Sequence, residues 1–218
     1  MITATRVPRH RSASRPARRP LAPDLVPAVG WATTLAVVAL WVHGGGVGDA
    51  VAGGYPAVTA TGRLTGLVAV DLLLVQVVLM ARMPWIERTY GQDRVARWHR
   101  LVGFASFQLM LAHVVMTTIG YAGTGRAGLA GEAWTLLATY PGMLLALAAT
   151  AALVMVAVTS VRAARRRLRY ESWHLLHLYA YLGVGFALPH ELWTGADFAA
   201  PAARAFWWTG YAVAAGPC

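Results

Sequence analysis

The chain has 218 residues, 57% of them hydrophobic and only 13% charged, with a formal net charge of +10 and a mean hydropathy of +0.50. A soluble domain carries about a quarter charged residues, so this composition argues for a polytopic helical membrane protein instead. The basic charge is all arginine, lies between apolar runs and points away from nucleic acid. The lone Cys218 excludes an internal disulfide or a thiolate-ligated metal site.

Residues 1–24 hold six arginines by Arg19, among prolines, serines and alanines. Such a segment buries too little apolar surface to form a core and reads as a disordered basic tail. A basic stretch before an apolar run also resembles a signal peptide. No convincing small-residue cleavage site follows, however, and further hydrophobic runs do.

Six apolar segments come next, at about 27–44, 64–83, 99–120, 135–159, 172–190 and 203–218. The middle four can each cover a hydrocarbon core of about 30 Å at 1.5 Å per residue. The first is short and ends at the glycines 44–46, and the sixth stops at Cys218 as though clipped. The connectors 45–62 and 121–134 are rich in Gly, Ala and Thr and read as loops. Sixteen of nineteen arginines fall in the tail, in 82–100 or in 162–169. The positive-inside rule then places the tail and the loops 84–98 and 160–171 in the cytoplasm. The expectation is an all-α fold of six transmembrane helices over residues 25–218, multi-pass in the inner (plasma) membrane, with lipid around it and a cytoplasmic N-terminus.

Five of the seven histidines, His99, His113, His174, His177 and His190, sit on the third and fifth segments. Both segments run from inside to outside on this topology. His99 and His113 are separated by about 21 Å of helix rise, and His177 and His190 by about 19.5 Å. The two levels on one helix therefore match the two on the other. His99 and His113 differ by about 40° around the axis and share a face, whereas His177 and His190 differ by about 140°. Pro189 directly precedes His190 and shifts the helical phase there.

One imidazole from each of two helices, at each of two depths, is the arrangement that bis-histidine haem ligation requires. The expected inner pair is His99 with His177 and the outer pair is His113 with His190. Arg100 is a candidate partner for haem propionates at the inner site. His174 is either a neighbour of that haem or, with a register one turn different, its ligand. Two other readings compete. Membrane histidines often serve helix–helix hydrogen bonding or line a pore. Zinc needs three or four ligands at one point, and His174 with His177 has only Glu171 nearby.

Other residues carry weaker signals. Asp71 lies in the second segment near its outer end, where a carboxylate is either functional or simply wetted. Trp85, Tyr90, Trp98, Trp173, Trp193, Trp207 and Trp208 sit mostly at span ends, as an interfacial belt would place them. The glycines of GTGRAGLAG, residues 123–131, lack the strand context of a phosphate loop, and no nucleotide-binding fingerprint is encoded.

The stretch PWIERTYGQDRVARWHRLVGF with His113 behind it, and LRYESWHLLHLYAYLG followed by His190, resemble the ferric-reductase-like transmembrane domain of ferric reductases and NADPH oxidases. The resemblance covers about residues 30–218. It implies a six-helix domain holding two b-type haems at His99/His177 and His113/His190. It further implies an oxidoreductase that moves electrons from a cytoplasmic FAD and NAD(P)H module, on a missing continuation or a separate flavoprotein, to a ferric chelate or dioxygen outside. Two alternatives remain. One is a membrane cytochrome b subunit exchanging electrons with quinol or a periplasmic partner. The other is a haem-free structural or channel-like bundle.

Overall fold

A computed structural model describes residues 24–125, 128–198 and 200–216. The tail 1–23, Arg126 and Cys218 lie outside the described residues. Among the described residues ten α-helices follow one another: α1 (Leu25–His43), α2 (Gly46–Val51), α3 (Gly54–Met80), α4 (Pro84–Tyr90), α5 (Gln92–Thr124), α6 (Gly128–Thr139), α7 (Met143–Ser160), α8 (Arg162–Arg165), α9 (Tyr170–Thr194) and α10 (Pro201–Ala215).

Four of them, α1, α3, α5 and α7, are long and apolar enough to cross a bilayer, where six spans were expected. The 25 residues of α9 rise about 37 Å and are long enough. Its three histidines and two glutamates lower its apolarity below that of a simple span. The 15 residues of α10 rise only about 22 Å. Large apolar side chains face outward on the long helices: Phe104 on α5 and Leu144 on α7 are each 69% exposed. That is a lipid-facing pattern, since a water-soluble bundle would bury such a surface.

The connectors are more helical than expected. The expected outer loop 121–134 contains the end of α5 and the start of α6. The expected continuous segment 135–159 is broken at Tyr140–Gly142, where Gly142 takes φ +81. This left-handed conformation suits glycine because it has no Cβ. Helix α5 runs 33 residues, about 50 Å, so it overshoots a hydrocarbon core of about 30 Å and emerges with its arginines.

Two pairs of long helices dominate the packing. Helix α3 lies along α5, and α7 lies along α9, whereas α5 and α9 approach one another far less closely. A slot is left between the pairs. On the far side of α3, Val37 and Trp41 of α1, Leu67 and Leu74 of α3, and Trp207 of α10 form the main buried cluster. A smaller one, built from Leu79, Ile86, Tyr90 and Val95, closes the arginine-rich end. There the Tyr90 hydroxyl accepts the Val26 N–H at 3.2 Å and ties the start of α1 to α4.

Candidate functional site

The slot between α5 and α9 is where the histidines meet. His99 and His177 face each other with ring centroids 6.0 Å apart and planes at 69°. His113 and His190 do so at 6.4 Å and 50°. Both rings of α9 reach α5, although an ideal helix would set them about 140° apart. Pro189 lies inside α9 immediately before His190, and a Cβ on Gly142 would come within 2.8 Å of the His190 backbone. The absence of that Cβ lets the α6–α7 break press against α9 at the histidine itself.

The outer pair is held in a defined state. His113 Nδ1 lies 2.8 Å from the Gly62 carbonyl, and a carbonyl only accepts, so Nδ1 carries the proton. The Thr194 hydroxyl donates to the His190 carbonyl at 2.6 Å and therefore accepts from His190 Nδ1–H, at 2.7 Å. Each ring is left with its Nε2 lone pair free, the tautomer a metal-ligating histidine needs. At the inner pair, His177 Nδ1 meets the Ser160 hydroxyl at 3.2 Å. His99 Nδ1 is buried and turned to the Gln76 backbone of α3.

Around the outer pair is a cavity of about 500 Å³, within the usual range for a small-molecule or cofactor site. Leu67, Met110, Leu147 and Leu153 contribute apolar wall, and Arg63 and Tyr121 contribute polar lining. Arg63 donates two hydrogen bonds to Asp197, at 2.9 and 2.6 Å, and lies 3.4 Å from Asp49. Gly66 lines the same cavity, and a Cβ there would fall 2.5 Å from His113 Nδ1. The ring seats against bare α3 backbone.

The remaining expected residues fall elsewhere. His174 is exposed and its ring stacks on Tyr170 at 6.0 Å, so His177 is the histidine that faces His99. Arg100 is exposed and makes no ion pair among the described residues. Asp71 was expected near the outer interface, but α3 begins ten residues earlier than the apolar run. The carboxylate therefore sits about 25 Å in from the Gly54 end, buried and accepting a 2.7 Å bond from Thr34 of α1. Trp173 was assigned to an interfacial belt, yet it stacks on His177 at 5.1 Å.

Several site residues escaped the sequence reading. Gly62 and Gly66 form a small-xxx-small pair, a spacing that marks close helix approach in membranes and gives a usable signal. Glu191, buried beside His190 and accepting a short hydrogen bond from the Tyr211 hydroxyl, was legible as an acid inside an apolar run. The Arg63–Asp197 pair spans 134 positions and leaves no local trace.

The spacing of each ring pair would admit one metal held by two imidazoles. Two metal–nitrogen bonds of about 2 Å, plus roughly 1.2 Å from nitrogen to each ring centre, would span about 6.4 Å. Among the described residues, no three His, Cys, Asp or Glu side chains converge on one point, as zinc would require.

Comparison with known proteins bears on the same region. A family described as "Ferric reductase like transmembrane component" matches residues 65–188, an interval that holds His99, His113 and His177. Over 132 residues the chain is 30% identical to the protein-methionine-sulfoxide reductase heme-binding subunit MsrQ of Klebsiella pneumoniae. That alignment covers 61% of this chain and 61% of the relative's length. No solved structure matches significantly.

Proposed function

This chain belongs to the ferric-reductase-like transmembrane family, and from that premise we propose that it transfers electrons across the membrane through two b-type haems, one between His99 and His177 and one between His113 and His190. The observation that carries this reading is the ring spacing, 6.0 and 6.4 Å, at two levels of one slot. Bound haem supplies one-electron redox chemistry.

The protein's part is positional. Gly62 and Thr194 fix the outer rings in one tautomer, and the leucines of α3 and α7 supply apolar wall around the site. Two histidines would hold each haem, which suits relay of electrons rather than activation of a bound molecule. The arginine-rich end is the cytoplasmic one in this account, which makes the His99/His177 pair the entry level and the His113/His190 pair the exit level. They stand about 20 Å apart along the helices, and α9 and α10 complete a six-helix bundle in the bilayer.

The likeness to MsrQ, named as a heme-binding subunit of a reductase, favours a membrane subunit that passes electrons to a separate oxidoreductase partner outside. The cytoplasmic arginines suit docking of an acidic flavoprotein or flavin/NAD(P)H module as donor. Direct reduction of a ferric chelate or dioxygen is the second reading, drawn from the family resemblance.

Vesicles of known orientation test the relay. His113→Ala is expected to leave reduction of the inner level intact while abolishing transfer to an acceptor on the opposite side. Full transmembrane transfer in that variant contradicts the proposal. Adding ferric chelate or dioxygen as the sole acceptor separates the two readings of the exit.

A further inference from the structure

At the inner pair, Trp173 Nε1 is a buried side-chain nitrogen with no hydrogen-bond partner among the described residues. A buried donor left unpaired carries the full cost of its lost hydration, so this indole N–H is built to meet an acceptor. Trp173 also packs against two groups. Its ring lies 5.1 Å from His177 at 28°, and the guanidinium carbon of Arg165 sits over it, 4.3 Å from the ring centroid. An indole packed against both a cation and a candidate ligand is not placed as a belt tryptophan, whose N–H faces the wet interface.

We infer that Trp173 and Arg165 form the carboxylate seat of the inner site, the indole N–H donating to a haem propionate and the guanidinium balancing its charge. Arg100, the residue adjacent to His99, is not needed for this. The inference rests on the haem reading above and deepens it. An imidazole ligating a porphyrin stands upright on its plane. A ring stacked on that imidazole would stand upright too, and here it carries an unpaired N–H donor beside the ligand. Arginine is the cation suited to carboxylates, since its planar donors match both oxygens. A positive charge beside a propionate offsets negative charge near the iron and favours the reduced state.

Trp173→Phe in the haem-loaded protein keeps the stacked ring and deletes only the N–H. Resonance Raman should show one set of propionate bending bands moving to lower frequency, and the redox titration should show one of the two midpoints falling while the other stays. Arg165→Gln should lower the same midpoint. A Trp173→Phe protein with both low-spin spectra, unchanged bending bands and unchanged midpoints overturns the inference and leaves the N–H to a water molecule. A parent protein without any low-spin haem spectrum removes this inference together with the proposed function.

Discussion

Gly66→Ala should unseat the outer histidine pair while leaving the inner one intact. The added Cβ would stand 2.5 Å from His113 Nδ1 and 2.9 Å from Cε1 and Cγ. Ordinary contact begins at 3.4 Å, so the ring must retreat by about 0.9 Å from a backbone that cannot yield. That movement breaks the 2.8 Å bond to the Gly62 carbonyl and misplaces Nε2 by almost half of a metal–nitrogen bond of about 2 Å. Loss of such an outer-shell partner alone typically costs about 10–100-fold in metal affinity. Occupancy of the outer site should therefore fall at least about tenfold, measured as haem per protein and as the amplitude of one redox transition. Gly30→Ala is the control, because nothing lies within 4 Å of its Cβ. A Gly66→Ala protein with two transitions of parental amplitude and midpoint refutes the reasoning.

The two-pronged Arg63–Asp197 pair, with Asp197 only 8% exposed, ties α3 to the link before α10. A double-mutant cycle with Arg63→Gln and Asp197→Asn should return a coupling of about 1.5–3 kcal/mol in detergent unfolding, whereas additive effects would show the pair to be ornamental. Asp71→Ala leaves the Thr34 hydroxyl without its partner and should cost about 1–3 kcal/mol of stability. Asp71→Asn should retain most of it, and equal losses in the two variants would rule out the hydrogen bond as the cause. In a Cys218→Ser background, Asp49→Cys should react with a membrane-impermeant thiol reagent on intact cells and Arg166→Cys should not; the reverse labelling inverts the topology.

The long helices and both histidine pairs were legible because hydropathy and helix rise are local, additive properties. Matching 14-residue and 13-residue spacings needed only 1.5 Å per residue. The short helices α2, α4, α6 and α8 were not, since helices of this length draw little on propensity and form where neighbouring elements hold them. The break inside 135–159 did leave a sign, the Pro141–Gly142 dipeptide, but the apolar run around it outweighed that sign. Counting Asp71 from the first apolar residue put it near the interface, whereas α3 actually starts in the polar stretch Gly54–Arg63. The close approach of Gly142 to the His190 backbone comes from another part of the chain, and pairing of that kind is invisible to periodicity within one segment.

A redox-titrated optical spectrum of the purified chain tests the central claim most directly. Two b-type transitions of comparable amplitude are expected, both low-spin and bis-imidazole, the one belonging to His113/His190 vanishing in His113→Ala. A protein that stays colourless when expressed with ample haem, or that shows a single high-spin centre, contradicts it.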